Sequence, residues 1–173
     1  MLYIAVILCF LLSLVFTPLV KKLAFRIGAV DHPNERKVHQ RVMPRLGGLS
    51  IFLSFLIGFM IFLPDTMTAW PVLIGAILIT ATGVLDDLFE LTPKAKLAGQ
   101  LLAAGVTVLG GIKLEFVTMP FTDERIEFGY LAIPITIIWI VAITNAINLI
   151  DGLDGLAAGV TAIALLTISG LAV

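Results

Sequence analysis

Asp86 and Asp87 stand side by side where a long apolar run stops. A helix ending there would place both carboxylates at the negative end of its dipole, where acids are disfavoured. Two acids in that position call for a cationic partner such as a metal ion. The plainer alternative is a solvated helix end at the edge of a membrane. Thr92 before Pro93 then suits an N-cap with proline at the first helical position. Lys94 and Lys96 fall in that helix's first turn, where the dipole disfavours cations. Acids at one helix end and lysines at the next both break the local rule. Such departures are expected at functional sites. Snorkelling of long side chains out of the bilayer is the competing explanation for the lysines.

Two further stretches carry chemistry. Asn145, Asn148, Asp151 and Asp154 recur every three residues, so a helix would hold them on one slowly drifting face. Polar groups at membrane depth mark a cavity or a partner, although two asparagines also suit hydrogen bonding between helices. A calcium loop fits poorly, because the acids do not alternate and no terminal Glu follows. Oxygen donors beside Asp86 and Asp87 suit a hard cation such as Mg²⁺, which takes few carboxylates plus substrate phosphates. The segment 31–48 holds Arg36, Lys37, Arg41 and Arg45, His32 and His39, and the pair Gly47-Gly48. Attraction to anionic lipid, about 1 kcal/mol per cation, would account for the charges alone. It leaves the histidines, prolines and glycines unexplained. Glycine lets backbone approach a ligand closely, and a helix N-terminus favours anions. The segment therefore reads as a phosphate-handling loop.

The elements that must position these residues are membrane helices. Of the 173 residues, 60% are hydrophobic and 13% charged, and mean hydropathy is +1.11. Soluble domains are about half apolar and about a quarter charged. Six apolar runs free of charge cover residues 2–20, 46–63, 70–85, 97–112, 131–150 and 156–173. Each approaches the length of a membrane span and must be helical in lipid. The fold class is thus an all-α polytopic membrane protein with about six spans. If the spans alternate, residues 21–45, 86–96 and 151–155 share one side, with nine of the eleven Lys and Arg. That side is cytoplasmic by the positive-inside rule, and the N-terminus is outside. Residues 113–130 read as a short external β-hairpin or loop, with Trp70 and Tyr130 as interfacial anchors. Cys9, the one cysteine, lies in an apolar run and reads as packing. The first run has no preceding basic residue and is too long for a removable signal. Net charge is −1, so overall charge points to no partner, and no nucleic acid is expected.

Together the three stretches resemble the polyprenyl-phosphate N-acetylhexosamine-1-phosphate transferase family. The matching residues are Pro33-x-x-Arg36-Lys37-x-His39 with Pro44-Arg45-x-Gly47-Gly48, then Asp86-Asp87-x5-Pro93-x-x-Lys96-Leu97. The third match is Asn145-x-x-Asn148-x-x-Asp151-Gly152-x-Asp154-Gly155. The first loop looks like the branch acting on UDP-N-acetylglucosamine (UDP-GlcNAc), which starts teichoic acid or O-antigen synthesis. It looks less like the branch acting on UDP-N-acetylmuramoyl-pentapeptide, whose loop has a Gly-Thr-Pro-Thr-Met-Gly-Gly character.

The resemblance implies that undecaprenyl phosphate and UDP-GlcNAc react to give undecaprenyl-diphospho-GlcNAc and UMP in the bacterial plasma membrane, with Mg²⁺ or Mn²⁺. Asp86 or Asp87 would bind metal or accept the proton of the lipid phosphate. Asn148 and Asp151 would position the nucleotide diphosphate, Asp151 also serving the metal. Arg36, Lys37, His39, Arg45, Gly47, Gly48, Lys94, Lys96, Asn145 and Asp154 would contact substrate. A homodimer is left open. The family carries about ten or eleven spans, with a further catalytic Asp and a His-rich loop in its second half. Residues 1–173 are therefore read as the N-terminal portion, inactive alone. A transporter is the rival class, and a non-catalytic scaffold is the second. A transporter would place ionisable groups near the midplane, whereas these lie in loops at one face.

Overall fold

A computed structural model of the chain describes residues 2–31, 42–62, 67, 69–119, 124–152 and 155–172. It contains the helices α1 (Leu2–Ile27), α2 (Gly47–Phe62), α3 (Ala69–Phe89), α4 (Pro93–Leu109), α5 (Ala132–Ile150) and α6 (Leu156–Ala172). Two short antiparallel hairpins accompany them. β1 (Val30–Asp31) pairs with β2 (Met43–Pro44), and β3 (Phe116–Thr118) with β4 (Arg125–Glu127). This is the all-α membrane architecture that the apolar runs require. Tyr3–Ile27, Ala69–Phe89 and Gly129–Ile150 are long and apolar enough to cross a bilayer, while α2 and α6 are apolar but shorter. Large apolar side chains face outward, among them Phe10 (62% exposed), Leu102 (65%) and Leu166 (73%). Apolar surface of this extent needs lipid rather than water against it.

Two helices run beyond their apolar stretches. α1 continues past Val20 through Lys21, Lys22 and Arg26. Lys, Arg, Leu and Ala are good helix formers, and their charged heads can reach water from an apolar stem. The chain then turns at Gly28, where Ala29 N–H donates to the Ala24 carbonyl at 2.9 Å. α3 continues past Leu85 to Phe89, so Asp86 and Asp87 lie inside its last turn. α5 behaves in the opposite way. It stops at Ile150, and Asp151 follows at φ −80°, ψ 47°. The expected four-residue polar face is therefore split. Asn145 and Asn148 share α5, Asp151 lies past its end, and Asp154 is outside the described residues.

α1 packs on α2, and α4 lies between α3 and α5. A buried cluster of Val20, Ala24, Ala29 and Leu46, with Leu49, Val84 and Leu88 packed against it, ties α1, α2 and α3 together beneath β1 and β2. Val84 and Leu88 flank the two aspartates in sequence, so this cluster fixes where the acids emerge. α3 and α4 approach so closely that a Cβ on Gly75 would collide with the Thr107 hydroxyl, and one on Gly99 with Thr82. Small residues permit such backbone contact between membrane helices. Gly75→Val is expected to destabilise the folded chain by about 1–3 kcal/mol through overpacking. Thermal unfolding in nanodiscs measures this, with Gly83→Ala, which meets no atom within 4 Å, as the control. An unshifted Gly75→Val transition would refute the tight contact.

The expected hairpin in residues 113–130 is present, in the register Phe116↔Glu127, Val117↔Ile126 and Thr118↔Arg125. The Arg125 guanidinium lies 4.7 Å from the centre of the Phe116 ring. Leu114 N–H donates to Thr136 Oγ1 at 2.9 Å, which anchors the hairpin to α5.

Candidate active site

The site grows from six elements, β1, β2, α2, α3, α4 and α5. β1 and β2 form a two-residue clip with Val30 opposite Pro44 and Asp31 opposite Met43. Arg45 N–H extends it by donating to the Ala29 carbonyl at 3.0 Å. The Arg45 side chain donates to Asp31 Oδ1 at 2.6 Å and reaches Glu90 Oε1 at 3.4 Å. The hydrogen bond that Arg45 donates to Asp31 raises the Arg45 pKa above its already high ordinary value, so the guanidinium stays charged. Glu90 follows α3 in a left-handed conformation, φ 49°. Arg45 thus spans from the clip to the end of α3, and Gly47 and Gly48 open α2 directly behind it.

The second half of the site answers the wrong-end charges seen in the sequence. Thr92 caps α4 by accepting from Ala95 N–H at 3.3 Å, with Pro93 at the first helical position. Lys96, in the first turn of α4, reaches the last turn of α3. Its amine donates to Asp86 Oδ2 at 2.9 Å and to Asn148 Oδ1 at 3.0 Å. The acid disfavoured at a C-terminus and the lysine disfavoured at an N-terminus therefore offset one another. Gln100, one turn along α4, is buried, and it exchanges two hydrogen bonds with Asn145. Asn145 Nδ2 donates to Gln100 Oε1 at 2.8 Å, and Gln100 Nε2 donates to Asn145 Oδ1 at 3.3 Å.

Asp87, Asn148, Asp151, Arg45, Gly47 and Gly48 all line one open cleft of about 850 Å³. An adjoining slot of about 430 Å³ runs among α2, α3 and α5, walled by Leu49, Ile79, Val84, Ile143 and Ile147. Asp87 lines both spaces. Lys94 is exposed in the first turn of α4. Arg36, Lys37 and His39 of the basic loop, like Asp154, lie outside the described residues. Sequence reasoning missed the clip, the Asp31–Arg45 pair and Gln100. An amide inside a run otherwise poor in strong hydrogen-bonding groups was the available signal for Gln100.

Comparison with known proteins decides the lineage. The profile of glycosyl transferase family 4 matches residues 69–173, and those residues supply α3 to α6. The chain belongs to glycosyl transferase family 4. Among its relatives is the probable undecaprenyl-phosphate N-acetylglucosaminyl 1-phosphate transferase of Bacillus subtilis. It is 48% identical over 172 residues, covering 98% of this chain and 48% of the relative. The decaprenyl-phosphate N-acetylglucosaminephosphotransferase of Mycobacterium leprae is 37% identical over 156 residues, covering 83% and 39%. The phospho-N-acetylmuramoyl-pentapeptide-transferase of Halalkalibacterium halodurans is 37% identical over 175 residues, covering 89% and 52%. The chain spans about half the length of these curated relatives. No solved structure matches it.

Family 4 membership raises the question of a metal. Among the described residues, no group of three or more His, Cys, Asp or Glu converges into a protein cage. A hard cation that keeps its waters and bridges substrate phosphates needs only one or two carboxylates. Asp87 and Asp151, both on the cleft wall, can supply them. Asp86 already gives Oδ2 to Lys96. The donor set in this family 4 chain thus fits Mg²⁺ or Mn²⁺ held jointly with a ligand.

Proposed function

We propose that this chain is the N-terminal part of an enzyme that transfers GlcNAc-1-phosphate from UDP-GlcNAc to undecaprenyl phosphate and releases UMP. The reaction would open teichoic acid or other cell-envelope polysaccharide synthesis. It would run at the cytoplasmic face of the bacterial plasma membrane, the side on which the positive-inside rule would put the basic loops. The observation that carries this reading is the position of Asp87. It lies where a polar cleft able to take a nucleotide sugar meets an apolar slot able to take the start of a lipid chain. The similarity to the Bacillus subtilis protein supports UDP-GlcNAc as the donor.

A phosphate monoester has a second pKa of about 6, so the lipid phosphate arrives mostly as a dianion. It needs little base. Its difficulty is approaching a second anion. Arg45 on the cleft wall, and Lys96 behind the lining residue Asn148, supply fixed positive charge that lowers that repulsion. The lipid phosphate oxygen attacks the sugar-bearing phosphorus, and the bond to the UMP oxygen breaks as UMP leaves. Asp87 accepts the residual proton when the lipid phosphate is a monoanion. The Asn148 amide and Asp151 orient the diphosphate, and the basic loop with Arg36, Lys37 and His39 holds substrate phosphates. Bound Mg²⁺ or Mn²⁺ supplies further charge neutralisation.

A hybrid tests the reading. The aligned part of this chain would replace the matching portion of the Bacillus subtilis relative. In membranes with undecaprenyl phosphate and Mg²⁺, the hybrid is expected to release UMP from UDP-GlcNAc, whereas the 173-residue chain alone releases none above background. Activity of the chain alone would overturn the two-part view. The second reading rests on the 37% identity to the pentapeptide transferase. UMP release from UDP-N-acetylmuramoyl-pentapeptide in preference to UDP-GlcNAc would establish it instead.

A further inference from the structure

Gln100 is a hydrogen-bonding side chain buried between helices, 2% exposed, on a helix face that otherwise packs alanines and valine: Ala103, Ala104 and Val108 are its buried neighbours on α4. A buried amide left without partners is costly, and more so in lipid. Its partner is Asn145 on α5, and the pairing is reciprocal: each amide both donates and accepts. Asn145 Nδ2 also donates to the Val141 carbonyl at 2.8 Å. Both Nδ2 hydrogens of Asn145 and its oxygen thus have partners within the protein. Asn145 carries one of the family-like spacings and was expected to touch substrate, yet its polar atoms are turned to α4 and to its own helix.

We propose that the Gln100–Asn145 pair is a register lock between α4 and α5, and that both are positioning residues for the Lys96 amine. The spacing carries the inference. Lys96 lies one turn before Gln100 on α4, and Asn148 lies one turn after Asn145 on α5. The two helices run antiparallel, so one turn back on one and one turn on along the other lead to the same level. There the Lys96 amine meets Asn148 Oδ1 and Asp86 Oδ2. A helix is stiff over one turn. Sliding or rotating α4 against α5 would therefore part Lys96 from Asn148. Apolar packing between alanines resists such sliding weakly, because many offsets bury similar area. A two-way amide pair has one offset at which both hydrogen bonds form. Polar pairs fix register in other helical assemblies for this reason. The role in transfer rests on the proposed function, but the lock itself does not.

Amine labelling of the whole 173-residue chain in nanodiscs tests the lock directly. Lys96 donates to two acceptors and is shielded, while Lys94 is exposed on the same turn and serves as the internal reference. Acylation at each is counted by mass spectrometry. The variants are the near-isosteric Gln100→Met, Asn145→Leu, their combination, and the exchange Gln100→Asn with Asn145→Gln. Each apolar single variant is expected to raise the Lys96 to Lys94 labelling ratio about threefold, the size of an average polar contact between membrane helices. The apolar double variant should recover thermal stability, since neither amide is then orphaned, but keep the raised ratio. The exchange should bring the ratio back toward the parent. An unchanged ratio in both single variants would overturn the proposal. So would restoration by the apolar double variant, which would reduce the pair to simple packing. A hybrid enzyme without transferase activity would defeat the functional reading and leave the labelling result standing.

Discussion

Asp87→Asn in the hybrid enzyme is expected to lower GlcNAc-1-phosphate transfer by about 10²–10³-fold, the range for removing one electrostatic contact from a transition state. The amide keeps the shape of the carboxylate and one of its oxygens, so packing against the neighbouring cluster should hold. Membrane insertion and melting temperature should match the parent. What disappears is negative charge at the junction of cleft and slot. Without it, the lipid phosphate's residual proton would lose its proposed acceptor, and a bound cation would lose one of its two proposed carboxylates. The loss should appear in kcat rather than in KM, because the charge matters most as the second anion arrives. Transfer at the parental rate, with normal insertion, would sink the assignment of the reaction to this site.

Lys96→Met carries the second large effect, about 10–10²-fold in transfer, because a fixed positive charge leaves a site proposed to bring two anions together. The structure gives this variant a sharper signature. Lys96 holds Asp86 Oδ2 at 2.9 Å and is partly buried, with 24% of its side chain exposed. Removing the amine leaves Asp86 at the negative end of α3 without its cation. Asp86→Asn should therefore cost much less in the Lys96→Met background than in the parent. Contacting residues show coupling of about 0.5–3 kcal/mol in such cycles. Transfer rates and thermal unfolding of the two single variants and the double variant measure it. Effects that simply multiply would show that the ion pair has no part in either quantity.

The sequence made the helices legible because lipid leaves the backbone few choices. Every buried N–H and C=O must find a partner within its own segment, so apolar runs near residues 2–20, 70–85 and 131–150 became α1, α3 and α5. Helix ends were less legible. Charge in sequence suggested stopping at Val20 and Leu85, but good helix formers with long side chains carried α1 through Lys21, Lys22 and Arg26. The site was visible as three stretches of unusual residues. Thr92 as a cap and Gly47-Gly48 at a helix start followed from local rules and are present. Pairings across the chain were not readable. That Lys96 would meet Asp86 at a separation of ten residues was within reach of helix geometry. That it would also meet Asn148, and Arg45 meet Glu90, depends on how four helices stack. The β1–β2 clip was missed because two residues on each side give no period to detect.

The Gln100–Asn145 pair also has a history written into its separation of 45 residues. The chain is made from its N-terminus, so α4 exists before α5 does. At about 5–20 residues per second, Gln100 waits a few seconds for the asparagine that will receive it. During that interval its amide has no α5 partner, and bare hydrocarbon would be an unfavourable place for it. Membrane entry of α4 is therefore best completed together with α5, as a helical hairpin delivered with its polar seam already closed. The residue that fixes register in the finished protein would then also set the order in which these helices enter the bilayer.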